Sequence, residues 1–121
     1  MANKLAVIGG TGLYAMMGEF EQTHQEIINT PYGEPSCPLV EGRLFDQQVV
    51  FLARHGFTHR VPPHKINYLA NIWMLNKVGV RHIYAVNAVG SINPSCPPTS
   101  LVLPDQVIDY TWGREHTFYA Q

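Results

Sequence analysis

The stretch VVFLARHGFTHRVPPHKINYLANIWMLNKVGVRHIYAVNAV, residues 49–89, decides the fold. It opens on a short apolar run, residues 49–53, that ends at Arg54-His55-Gly56. A loop containing Pro62-Pro63 follows. Then Ile66, Leu69, Ile72, Leu75 and Val78 recur every three residues, with Ala70 and Trp73 widening the stripe. That spacing predicts a helix, with the prolines just ahead of it and Gly79 as a left-handed cap. A second apolar run, residues 83–86, closes the stretch. Strand, loop, helix, strand is a βαβ unit, and such a unit predicts a parallel sheet.

Working outward, residues 5–8 form another buried strand, and residues 101 to about 108 a further one. Residues 30–42 hold Pro31, Gly33, Pro35, Pro38 and Gly42, a turn-rich connection into an antiparallel excursion or hairpin. Pro94, Pro97, Pro98 and Pro104 mark a second loop. The final residues 111–121 contain no closing helix with a charged tail, so an incomplete domain is expected.

The bulk numbers bound the function. The 121 residues fit one domain. With 45% hydrophobic and 14% charged residues, a real core is expected, and part of the surface is suited to burial against something else. A net charge of −1 gives no electrostatic case for nucleic acid or an anionic membrane as partner. No apolar stretch approaches the roughly 20 residues that span a bilayer. The first ten residues read as a strand breaking at glycines rather than as a secretion signal. Cys37 and Cys96, each in a Ser-Cys-Pro triplet, are therefore expected to be free thiols.

Four motifs could carry chemistry. Gly9-Gly10-Thr11-Gly12 follows the first strand. Its glycines can aim several backbone N–H groups into one anion-binding concavity, and Thr11 adds a hydroxyl donor. The plain alternative is a simple strand-to-helix turn. A third reading is dinucleotide binding, because residues 10–15 fit G-x-G-x-x-A. That fingerprint expects a long helix and an acidic residue about 20 positions on, whereas Gly18 interrupts the helix and the next strand ends at Ala53 before an arginine. Arg54-His55 closes a buried strand, where open α/β sheets place their ligands, and a guanidinium matches phosphate with two donors. A strand-end ion pair is the plain alternative. His55, His59 and His64 are three histidines spaced by four and five residues, but the prolines prevent a regular helix and no Cys, Asp or Glu completes a ligand set, so no metal is expected. Asn87-Ala88, ahead of Gly90, lets a ligand approach the backbone, or else merely caps the strand. Taken together, Thr11, Arg54-His55 and Asn87-Ala88 follow three strands whose ends converge in a parallel sheet. That convergence indicates a small anion, most simply phosphate.

The same residues resemble a known family. Residues 8–13, Thr30-Pro31-Tyr32-Gly33-Glu34-Pro35-Ser36, Leu52-Ala53-Arg54-His55-Gly56, Asn67-Tyr68 and Ala70-Asn71-Ile72-Trp73 are similar to the N-terminal half of the methylthioadenosine phosphorylase branch of purine nucleoside phosphorylases. Residues 85–90 and 108–117 look most like the members of that branch that cleave methylthioinosine, and Asn87 stands where adenosine-specific members typically carry threonine. The resemblance implies an α/β fold with a mixed, largely parallel twisted sheet and flanking helices, of which residues 1–121 are the N-terminal portion of a single domain. It implies phosphorolysis of a purine nucleoside, with Thr11, Arg54 and His55 binding phosphate and Asn87 and Ala88 at the phosphate–ribose junction. Inorganic phosphate would be a co-substrate and no cofactor would be needed. The general acid at the purine, an aspartate, belongs to the family's second half and is not among these residues, so the 121 residues alone are expected to be inactive. The family implies a cytoplasmic homo-oligomer, a trimer in this branch, with sites near subunit interfaces. The aromatic tail (Tyr110, Trp112, His116, Phe118, Tyr119) suits either an interface or packing against the other half. The second hypothesis is a non-catalytic phosphate- or nucleotide-binding module, and a remote third is an NADP-binding domain.

Overall fold

A computed structural model describes residues 4–10, 13 and 20–120. Its sheet has five strands: β1 (Lys4–Gly9), β2 (Phe20–Glu26), β3 (Leu39–Leu44), β4 (Gln47–Ala53) and β5 (Val80–Ala85), in the order β2-β3-β4-β1-β5. β1 pairs in parallel with β4 and with β5, whereas β2/β3 and β3/β4 are antiparallel. The fold is thus α/β with a mixed sheet. The parallel half is the half predicted by the βαβ reading, and the turn-rich connection leads into the antiparallel half. β4, α1 (Tyr68–Lys77) and β5 form the crossover unit, with β1 seated between its two strands. Among the described residues, no helix is long and apolar enough to cross a membrane.

Local chemistry explains the boundaries. β3 and β4 are joined through Phe45 and Asp46, with φ of 47° and 64°. Two successive left-handed residues match the twist of a two-residue hairpin. α1 starts at Asn67, whose side chain accepts a hydrogen bond from the Ala70 N–H at 3.0 Å. It is closed by Gly79, just past the C-cap Val78, at φ 87°, whose N–H donates to the Asn76 carbonyl at 3.0 Å.

The core lies between β1, β3, β4 and α1, around Ala6, Leu39, Val50, Leu52, Met74 and Leu75. The buried helix residues are Ala70, Asn71, Met74 and Leu75, so Ala70 and Leu75 of the stripe read from the sequence face the core, while Leu69 and Trp73 are only half-buried and Asn71 and Met74 complete the face. Ile72, on that stripe, is exposed. A strict step of three falls about 60° short of a full turn each time, so such a stripe winds around the helix, while i, i+4 residues stay on one face. Asn71 is the buried polar residue of this core. Its Oδ1 accepts from the Ser36 N–H at 2.8 Å and its Nδ2 donates to the Ser36 Oγ at 2.9 Å, fastening the 30–38 loop to α1.

One expectation changes, and one strand goes unannounced in the sequence. Residues 101–108 are not a strand: they carry no ladder, and Leu101 and Leu103 are more than 90% exposed. An apolar run becomes a strand only when a neighbour takes its N–H and C=O groups, and no described residue does so. β2 has no apolar alternation to announce it, being exposed at every position after Phe20. Its strand state comes entirely from pairing with β3.

Candidate functional site

The site grows out of the carboxyl ends of β4, β1 and β5. Gly9 stands opposite Ala53, and Ile8 opposite Ala85. Both ladders run one step further: the Arg54 N–H donates to the Gly9 carbonyl, and the Val86 N–H to the Ile8 carbonyl, each at 2.9 Å. Arg54 and Val86 are thereby held on either side of the end of β1. The Arg54 side chain crosses that end over Gly10, and its Nη1 comes within 3.5 Å of the Val86 carbonyl. At that length the carbonyl steers the guanidinium weakly and leaves most of its donors for a ligand.

His55 is held more firmly. Its Nδ1 lies 2.9 Å from the Val61 carbonyl, while the Val61 N–H donates to the His55 carbonyl at 3.0 Å. A carbonyl only accepts, so Nδ1 carries the hydrogen. Nε2 is then an acceptor in the neutral ring and a donor in the imidazolium. It can take a hydrogen bond from the hydroxyl of a hydrogenphosphate, or give one once protonated. The tight loop behind it depends on Gly56, at φ 77°, where a Cβ would sit 3.1 Å from the Ser36 carbonyl oxygen.

Arg54, His55 and Asn87 line one cavity of about 450 Å³, together with Ile8, Tyr68 and Asn71. No carboxylate lines it among the described residues. A guanidinium, a firmly held imidazole and three neutral hydrogen-bonding side chains suit an anion bound next to an uncharged polar group. The structure therefore brings together three of the five residues singled out from the sequence. Ala88 is exposed and does not line the cavity. Thr11 lies outside the described residues. Tyr68 and Asn71 were missed as site residues because both were read as parts of a helix. The usable signal was Asn71 itself, an amide on the face of α1 that packs inward.

The neighbouring histidines divide. His59 meets His55 at a tilt of 43° with ring centroids 4.9 Å apart, whereas His64 lines a second cavity of about 520 Å³. No three His, Cys, Asp or Glu among the described residues come together as a metal site. The aromatic tail folds back on that second cavity in part. Phe118 meets Tyr32 edge-on at 5.1 Å, and Arg114 lies 5.2 Å from the Tyr68 ring centroid. Tyr110, Trp112 and Tyr119 remain exposed.

Cys37 lies beneath the last residue of β4, where its Sγ accepts from the Ala53 N–H at 3.3 Å. Both cysteines are free. Burial pushes the Cys37 thiol from the ordinary 9.0 up to about 11, against a smaller lowering by the Ala53 N–H. A thiol reagent at pH 8 is expected to modify one cysteine per folded chain, the more exposed Cys96, and both after denaturation. Two rapidly modified thiols in the folded chain would contradict this placement. Above pH 9 the unfolded chain gives up a proton that folded Cys37 keeps, so its contribution to stability is lost as pH rises from about 9 to about 11. Two pKa units correspond to roughly 2–3 kcal/mol.

Strand ends that gather anion-compatible groups in a mixed α/β sheet define a class. Residues 4–121 match the phosphorylase superfamily, and the chain belongs to it. Within that family it is similar to the probable S-methyl-5'-thioinosine phosphorylase of Xylella fastidiosa strain Temecula1, with 54% identity over 114 residues covering 94% of this chain and 46% of that protein. It is 50% identical over 117 residues to the S-methyl-5'-thioadenosine phosphorylase of Hyperthermus butylicus, covering 97% of this chain and 42% of that one. Among solved structures, a mutant adenosine/methylthioadenosine phosphorylase from Schistosoma mansoni in complex with adenine superposes with a TM-score of 0.88. That pair is 43% identical, and the match covers 98% of this chain and 41% of the other. The chain thus spans less than half the length of the relatives it matches.

Proposed function

We propose that these residues are the N-terminal portion of a single nucleoside phosphorylase domain and form its phosphate-gripping half. The observation that carries this is the shared cavity: Arg54 and His55 after β4 and Asn87 after β5 meet across the end of β1, with no carboxylate among its described lining residues. In the reaction, a phosphate oxygen forms a bond to C1′ of the nucleoside as the glycosidic C1′–N bond breaks. The bonding electron pair leaves with the purine, which is protonated, and a ribose 1-phosphate remains. Positive charge builds on the sugar in the transition state. A phosphate dianion held by Arg54 and His55 next to that charge stabilises the transition state more than the ground state. Thr11 is the third phosphate ligand in this reading, with Asn87 and Ala88 at the phosphate–ribose junction. No cofactor takes part. The residue that protonates the purine belongs to the second half of the domain.

Methylthioinosine is the favoured substrate over methylthioadenosine, giving hypoxanthine and 5-methylthioribose 1-phosphate. The 54% identity to a probable thioinosine phosphorylase supports that choice. The enzyme is proposed to work in the cytoplasm as a homotrimer. The exposed apolar residues from Val89 to Trp112 support burial against further polypeptide.

The test is a chimera joining these 121 residues to the second half of the Xylella fastidiosa relative. Hypoxanthine release from methylthioinosine is expected only when inorganic phosphate is present, and the 121 residues alone are expected to release none. Phosphate-independent release, or a folded chimera without activity, would overturn the assignment.

A further inference from the structure

The two adjacent glycines of the first loop are glycines for different reasons, and the second bears on the site. A Cβ built on Gly9 would meet Leu13 and Phe51, with the nearest atom, Leu13 Cδ2, at 2.7 Å, so Gly9 serves packing. The three atoms that a Cβ built on Gly10 would meet first all belong to Arg54: Nη2, then Cζ at 3.2 Å and Nε at 3.8 Å. Gly10 does not have the left-handed φ that favours glycine, unlike Gly56 or Gly79. Backbone conformation therefore does not demand a glycine at position 10. The space next to it does, because the guanidinium fills it.

We propose that Gly10 is a positioning residue for Arg54: the missing side chain is the seat that lets the guanidinium lie across the end of β1 and face the cavity. This rests on the reading of that cavity as a phosphate site. Arg54 is anchored at its backbone by the Gly9 carbonyl, but its far end has only the 3.5 Å approach to Val86. The seat over Gly10 therefore sets where the two donors point. A methyl group at position 10 meets the flexible end of Arg54 first and pushes it away. Bidentate recognition of phosphate tolerates misplacement of only about half an ångström, so the fold survives and the anion site does not.

The experiment is a double-mutant cycle on the full chain, titrating inorganic phosphate by calorimetry. Arg54→Ala is expected to weaken binding roughly tenfold or more, the usual loss for a charged hydrogen-bonding group. Gly10→Ala is expected to approach that loss, with a thermal midpoint close to the parent's. In the Arg54→Ala background, Gly10→Ala is expected to add less than about twofold, since two changes acting through one group do not add. Parent-like phosphate binding by Gly10→Ala overturns the proposal. So does an undiminished Gly10→Ala loss in the Arg54→Ala background, which would mean that Gly10 acts through its own loop. A Gly10→Ala chain that fails to fold also counts against it, because the glycine would then serve the packing of its own loop rather than the arginine. Failure of the phosphate reading looks different: the Arg54→Ala chain then binds phosphate as the parent does, or the parent does not bind it at all, and the role of Gly10 falls with it.

Discussion

Arg54→Ala is expected to lower phosphorolysis in the complete enzyme by about 100- to 1000-fold, the usual effect of deleting one preorganised electrostatic group at a reacting centre. The loss is expected in both the phosphate KM and kcat. The guanidinium binds the ground-state dianion, and it also holds that dianion against the cationic sugar of the transition state. Arg54 is fastened to the end of β1 through its own N–H, so the scaffold of the site outlasts the removal of the side chain. Steady-state kinetics with phosphate as the varied substrate check this. An unchanged phosphate dependence would remove Arg54 from the site. A large KM effect with kcat intact would reduce it to a ground-state clamp.

The second large effect concerns stability. Leu52 is completely buried, in a strand flanked on both sides, and stands opposite Ile8 two residues before Arg54. Leu52→Ala is expected to cost about 3–4 kcal/mol, from lost transfer free energy and the cavity left between sheet and helix. A domain of this size has roughly 5–15 kcal/mol in total, so a large share of its stability disappears. Denaturant unfolding checks it. A midpoint moved by less than about 1 kcal/mol would show that the core closes around the gap. The two substitutions lie two positions apart and separate cleanly: Leu52→Ala lowers stability and largely spares phosphate affinity while the chain is folded, and Arg54→Ala does the reverse.

Much of the site was legible because its signals are local. Arg54-His55 ends an apolar run, Asn87 follows another, and a short buried strand in a βαβ context has its ligand end at its carboxyl terminus. Asn67 and Gly79 mark the ends of α1 by their own backbone chemistry. The cavity's other wall was not legible in the same way. Tyr68 and Asn71 face it because α1 packs with Ala70, Met74 and Leu75 inward, a face that the three-residue apolar spacing matches only in part.

The sequence by itself determined the parallel strand–helix–strand unit, the left-handed helix cap, and which residues stand at the strand ends, since each follows from periodicity or from one residue's conformational preference. Only the tertiary structure decided that β1 inserts between β4 and β5, and that polar β2 is a strand. It alone left residues 101–108 without a ladder and laid Arg54 over Gly10. Those outcomes depend on partners distant in sequence: a ladder needs a neighbour to take its hydrogen bonds, and a long side chain comes to rest where another residue leaves room.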